Sequence, residues 1–374
     1  MIALWTVAGC GSFTWLEQPL ERSSHDWPQQ GGGAHRSFAL QEYASSSMPA
    51  GDSEWEEWDF SLDGSGGAAS PLLIGDMLLL PSISATIEAV RLTDAKKTGE
   101  FNCEWFIEAT PAVLDDRLFV GTVGSESPLL CFSLRDGSLQ WSRVFEPVEA
   151  ALCVHDGSVY AAGVRGDVAR FDPEDSVEVW KSRVTGSVRA APAAADTLLI
   201  IGTETGDLIA LSTASGKTVW RAPTFSAIQA GPVIAGGLVI AVNRSGTVTA
   251  VHLGDGTIAW EHETGSPVYY APAHRDGRLL LPLASGALLM LRVSDGTLLR
   301  SILIGELPGA SPLWGARFAW QLARKGALYR VNVESGDVTR VQKLSERSET
   351  QPIMTPRGIL LIDEDGDSYM VDVN

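Results

Sequence analysis

Residues 191–220 read APAAADTLLIIGTETGDLIALSTASGKTVW, and this stretch decides the fold. Ala191-Pro192-Ala193-Ala194-Ala195 is followed by a turn at Asp196-Thr197, then Leu198 to Gly202, a turn around Gly206, Leu208 to Ser212, a turn at Ser215-Gly216, and Lys217 to Trp220. Short apolar and β-branched runs bounded by Gly, Asp and Ser read as antiparallel strands joined by tight hairpins, and glycine supplies the positive φ that such turns need. Nothing in the stretch keeps a helical period over a helical length.

Outward from this stretch the same pattern recurs. Proline returns at Pro192, Pro232, Pro272, Pro312 and Pro352, and glycine at Gly166, Gly206, Gly246, Gly286, Gly326 and Gly366, each series with a step of 40. A further series runs Trp141, Trp180, Trp220 and Trp260 and is continued at the same step by Arg300 and Arg340. A four-stranded unit of this size cannot bury both faces alone, so copies must stack around an axis, and closing the ring leaves only short, protected edges.

First strands begin near Ser70-Pro71, Thr110-Pro111, Ala151-Leu152, Ala191-Pro192, Gly231-Pro232, Ala271-Pro272, Ser311-Pro312 and Gln351-Pro352, which makes eight units. The last unit runs out at Val371-Asp372-Val373-Asn374 after three strands, while Glu54-Trp55-Glu56-Glu57-Trp58-Asp59-Phe60-Ser61 precedes the first unit with nowhere else to pair. The sequence therefore predicts an all-β, eight-bladed β-propeller of four-stranded antiparallel blades over residues 54–374. An N-terminal strand is expected to complete the last blade, with residues 27–53 as a linker before it.

Composition narrows the function classes. The 374 residues carry 46 acids against 28 bases, a formal charge of −18, which repels phosphate backbones and argues against nucleic acid as a partner. Cys10, Cys103, Cys131 and Cys153 show no CxxC spacing. His25, His35, His155, His252, His262 and His274 show no metal-ligand spacing. Asp363-Glu364-Asp365-Gly366-Asp367 resembles the start of a calcium loop, but it aligns with the hairpin Thr203-Glu204-Thr205-Gly206-Asp207 and lacks a downstream bidentate Glu, so it reads as a plain turn. No catalytic, cofactor-binding or metal-ligating residue is assigned.

The first ten residues are apolar and end in Val7-Ala8-Gly9-Cys10. That ending resembles a bacterial lipoprotein cleavage box, with Cys10 as the lipid-bearing first residue of the mature chain, and makes residues 1–26 a candidate truncated signal and tether. The run is short and has no basic flank, so a chance cysteine in an apolar segment stands as the alternative. Any membrane attachment is expected through Cys10 alone, since polar turns interrupt every later apolar run before it reaches spanning length.

In a propeller the residues just before each inner strand ring one mouth of the central channel. That column reads Ala68, Glu108, Glu149, Arg189, Gln229, Tyr269, Gly309 and Glu349, and is mostly polar, charged or aromatic. The neighbouring column is small except at Tyr270 and Thr350. Glu108, Glu149, Arg189, Gln229, Tyr269, Tyr270 and Glu349 are the candidate partner-binding residues, a mixture suited to protein or peptide recognition.

Ala210 to Trp220 and Val251 to Trp260 look like the tryptophan-docking motif of pyrroloquinoline-quinone-type propeller repeats, and Asp26-Trp27-Pro28-Gln29-Gln30-Gly31-Gly32 is similar to the segment that often precedes such propellers. Among eight-bladed relatives the chain most resembles the BamB family of outer-membrane assembly lipoproteins. The resemblance implies that Trp105, Trp141, Trp180, Trp220 and Trp260 are structural docking residues, with Arg300 and Arg340 marking looser junctions or guanidinium stacking. It also implies a monomeric, non-enzymatic scaffold without cofactor at the periplasmic face of the outer membrane, serving protein partners in β-barrel assembly. Quinoprotein alcohol dehydrogenases of similar fold carry an adjacent Cys-Cys pair and calcium-binding carboxylates; this chain has no adjacent cysteines. A periplasmic quinoprotein-like enzyme or ligand sensor, or a generic extracellular binding propeller, stands as the alternative.

Overall fold

Short runs between turn residues do form strands, and they assemble as eight separate four-stranded antiparallel sheets in a computed structural model that describes residues 28–36, 55–124, 126 and 128–372. Blades 1 to 7 are continuous in sequence: 72–102, 112–144, 153–183, 193–223, 230–263, 273–303 and 313–343. Blade 8 takes three strands from 353–371 and its outer strand from Trp55–Ser61. Trp55 pairs with Val371, Glu56 with Met370 and Ser61 with Asp367, so the expected ring closure by an N-terminal strand is present.

Burial runs from the axis to the rim. In blade 4 the strand Leu198–Gly202 is buried along its whole length because neighbouring blades cover both faces, which is why it reads as an unbroken apolar run. The outer strand Thr218–Pro223 buries only Trp220 and Ala222 and offers its other residues to solvent. The recurring glycine has a steric cause: Gly206 turns at φ +82°, and a Cβ there would lie 2.6 Å from the backbone N of Ser226.

Junctions between blades are built by a repeated donor. Trp180 Nε1 donates to Thr213 O at 2.8 Å, Trp220 to Leu253 O at 2.8 Å, Trp260 to Val293 O at 2.8 Å and Trp141 to Pro173 O at 3.2 Å, each acceptor lying in the next blade's outer turn. Glycine in that turn lets the indole lie flat: a Cβ on Gly256 would meet Trp220 Cε3 at 2.6 Å. Arg300 reproduces the contact with a different group, its guanidinium donating to Glu334 O at 2.8 Å and Ser335 O at 3.2 Å. Arg340 has no such turn to reach, because the outer strand of blade 8 comes from elsewhere in the chain, and it is exposed. At the ring's seam Arg357 of blade 8 donates to Leu92 O of blade 1 at 3.0 Å, the acceptor equivalent to Thr213 O.

Trp105 departs from this set. The docking position of blade 1, opposite Ala89, is Gly99, whereas Trp105 sits in the bend after the strand Lys97–Asn102. It is half-buried there, and a Cβ on Gly124 would lie 3.1 Å from its Cδ1. Forty residues before Trp141 lies Phe101 and the registered position is Gly99, so Trp105 fits the series by its residue type and not by its spacing.

Candidate functional site: the plugged axial channel

Each inner strand has one edge paired within its blade and one edge facing the axis. The axial amides of four successive blades are met by one short segment, residues 28–36. Pro28 O accepts from Val113 N at 2.8 Å, Gln29 Oε1 from Val154 N at 2.8 Å, Ala34 O from Ala194 N at 2.9 Å and His35 O from Ile234 N at 3.1 Å. Gln29 Nε2 also donates back to Val154 O at 3.1 Å, so its amide reads both backbone groups of that residue. Gly31 and Gly32, at φ +80° and +83°, supply the left-handed turns that curl the segment within the channel. The stretch read as a linker is therefore, over residues 28–36, a plug seated against blades 2 to 5. Four axial N–H groups that would otherwise line a narrow bore gain acceptors from it.

Arg36, like Gln29, is only 4% exposed. Its Nη1 donates to Ala191 O at 3.0 Å and Nη2 to Gln30 Oε1 at 3.0 Å, and burial pulls the guanidinium down to about 10. Space for it exists because position 231 is glycine: a Cβ there would lie 1.4 Å from Nη1.

Above Arg36 and Gln30 opens a cavity of about 190 Å³, lined by Ala68, Glu108, Glu149, Arg189, Gln229, Tyr269, Tyr270 and Glu349 together with small residues of the next column. The structure thus brings the sequence-derived candidates together at one mouth; Gly309 alone of the column is not among the lining residues. Arg189 is paired with Glu149 and reaches Glu204 at 3.5 Å, and Gln229 Nε2 donates to Glu204 Oε1 at 3.3 Å. Across the mouth, Arg324 pairs with Glu349 at 2.6 Å. Burial, with the Glu349 carboxylate adding to it, pushes the Tyr270 hydroxyl up to about 12, so Tyr270 stays a neutral donor. Glu108 is exposed and has no hydrogen-bond or ion-pair partner among the described residues.

Elsewhere the clusters of titratable groups singled out so far are committed to structure. Asp63, Glu88 and Glu100 converge, but the Lys97 ammonium lies between them, at 3.1, 2.8 and 2.7 Å, where a cation would sit. Asp363 Oδ1 accepts from the backbone N of Asp365 and Asp367, which makes the alternating carboxylates a hairpin turn. Cys103, Cys131 and Cys153 are buried in blades 1, 2 and 3 or their margins, and burial pushes each thiol up to about 12. Cys10 lies outside the described residues.

Eight blades, four of their junctions docked by an indole, around a blocked channel define the class: a propeller of quinoprotein-type repeats. The chain belongs to the family of the outer membrane protein assembly factor BamB, whose model matches residues 66–182 and 164–373. No curated protein matches the sequence. Among solved structures, BamB from Moraxella catarrhalis is 16% identical with a TM-score of 0.73, covering 84% of this chain and 99% of that one. The computationally designed protein Ika8 is 14% identical with a TM-score of 0.75, covering 84% and 98%. The quinohemoprotein alcohol dehydrogenase of Comamonas testosteroni is 11% identical with a TM-score of 0.74, covering 88% and 74%. At these identities the structural likenesses speak for the fold alone.

Sequence reading found the mouth column but missed its floor. The Gln29-Gln30 and Gly31-Gly32-Gly33 pattern was the available signal, because glutamine amides that pair with strand edges and glycines that permit left-handed turns are what a channel-filling segment requires.

Proposed function

We propose that this protein is a non-catalytic interaction scaffold of the cell envelope that offers the channel mouth and its surrounding loops to protein partners in outer-membrane β-barrel assembly. The observation that carries this reading is the plug. With residues 28–36 in the channel, about 190 Å³ stays open, less than the roughly 300–1,000 Å³ of typical small-molecule sites. What is left is a shallow polar mouth, with the Arg189 guanidinium and the Glu149 and Glu349 carboxylates held by ion pairs, and such pre-ordered groups favour recognition of a protein surface. Membership of the BamB family supports the choice of partner. A lipid at Cys10 would hold the scaffold at the periplasmic face of the outer membrane, and the propeller acts as a monomer.

The test is cross-linking and co-purification of the full chain with the membrane-embedded subunit of the assembly machinery, comparing wild type with the pair Glu149→Ala and Arg189→Ala. Loss of capture with an unchanged melting curve supports the scaffold. Equal capture by both, or dye-linked dehydrogenase activity on adding pyrroloquinoline quinone, would sink it.

A further inference from the structure

Outside the mouth lies a second ring on the same face, where each hairpin between second and third strands is stitched to the adjacent blade-joining loop by one backbone bond. Val123 N donates to Phe106 O, Val164 N to Pro147 O, Glu204 N to Ser187 O, Arg244 N to Ala227 O and Arg324 N to Leu307 O, each at 2.9 Å. Repetition of the bond makes the positions equivalent, so differences in chemistry around the ring are differences in what the ring presents.

Over blades 1 to 3 the ring is apolar. Ile83 is 44% and Phe106 64% exposed, Trp105 lies beside Phe106 half-buried, and Val123, Pro147 and Val164 continue the arc. Over blades 4 to 8 the equivalent hairpin positions are Glu204, Arg244, Ala284, Arg324 and Glu364, four of the five charged, and the exposed Leu307 stands there among charged neighbours rather than in a continuous apolar run. The apolar arc is bordered by acid: Glu104 and Glu108 flank the Trp105-Phe106 pair, both exposed and both without side-chain partners among the described residues, and Glu126 is exposed on the next hairpin. At the arc's far end, beside Val164, the exposed Arg165 and Arg183 set its cationic limit, the Arg183 guanidinium donating to Arg165 O at 3.1 Å. Exposed adjacent aromatics are costly in water and are the side chains that most often anchor protein interfaces.

We infer that this arc docks an extended segment of a partner protein in which apolar side chains alternate with lysine or arginine. The inference rests on the scaffold reading and specifies the chemistry of what the scaffold holds. Apolar side chains of the segment cover Ile83, Phe106 and Trp105, while its cations meet Glu104 and Glu108, carboxylates that no group among the described residues neutralises. The formal charge of −18 draws such a segment in and turns an acidic one away.

The experiment is fluorescence anisotropy of the full chain with three labelled peptides of equal length: alternating leucine and lysine, alternating serine and lysine, and alternating leucine and glutamate. The leucine–lysine peptide is expected to bind at least tenfold tighter than either of the others. Phe106→Ser should weaken it at least tenfold and Glu108→Gln several-fold, with the latter also flattening the salt dependence. Phe225→Ser, which removes an exposed phenyl on the charged side of the ring, should leave it unchanged. Equal binding by wild type and Phe106→Ser, or equal binding of the serine–lysine or leucine–glutamate peptide, overturns the inference. If those arc results fail while the assembly subunit is still captured through the mouth, the scaffold stands and the arc does not.

Discussion

Gly231 and Arg36 share one site: the place where a side chain on residue 231 would begin is occupied by the guanidinium of residue 36, which the channel plug carries in beside blade 5. A side chain at 231 would displace the guanidinium, and the same hypothetical Cβ also lies 2.6 Å from Ala191 O.

Gly231→Ala should therefore expel Arg36 from its bond to Ala191 O and cost about 2 kcal/mol, the scale of a lost buried charge-assisted hydrogen bond. Limited proteolysis should then cut within 28–36 while the blades persist. In a double-mutant cycle, adding Arg36→Ala should recover part of the loss, and strict additivity of the two changes would contradict the shared site.

Docking residues are expected to rank by what they bury. Trp220→Ala removes a 7% exposed indole and its bond to Leu253 O, and should cost about 3–5 kcal/mol in denaturant unfolding. Arg300→Ala, which removes exposed guanidinium bonds to backbone oxygens, should cost about 1 kcal/mol or less. An equal loss at both positions would mean that the indole is not the stronger clamp.

His274 gives a pH dependence whose sign is fixed by its environment. Burial, with His35 adding to it, lowers the imidazole to about 4 from an ordinary value near 6.5. Between those values the unfolded chain binds the proton and the folded chain does not, so stability from this group is complete above about pH 6.5 and is lost as pH falls toward 4. Unfolding curves of wild type and His274→Asn should diverge in slope across that window and run parallel above it. Direct NMR titration should find His274 still neutral at pH 5.

The thiols of Cys103, Cys131 and Cys153, pushed up to about 12 by burial, should resist alkylation by iodoacetamide at pH 8 in the folded protein. All three should react once denaturant unfolds the blades. Mass spectrometry of the alkylated peptides checks both halves of the expectation.

Periodic residues made the architecture readable because each answers to a local demand repeated in every blade. Gly206 needs its φ, and Trp220 needs a flat glycine turn next door, so the spacing of those two types already contains the blade. Residues that interact across the ring leave no such trace. Arg36 meets Gly231 only because the plug winds through the channel, and Arg357 meets Leu92 only because the ring closes. Trp105 was misread for the related reason that its identity matched the series while its register did not. The mouth column was legible since propeller geometry fixes where it points, but its floor was not, because residues 28–36 belong to no repeat.

The pairing of Trp55–Ser61 with Asp367–Val371 also sets an order of events. The strand that completes blade 8 is made before any blade and must wait, unpaired, until the last repeat has been synthesised, and only then can blade 8 clasp blade 1. Contacts so distant in sequence form slowly, and the waiting edge is open to other strands in the meantime. The step that limits how fast this ring assembles should therefore be its closure, and a chain lacking residues 367–371 should gather as an open, association-prone arc.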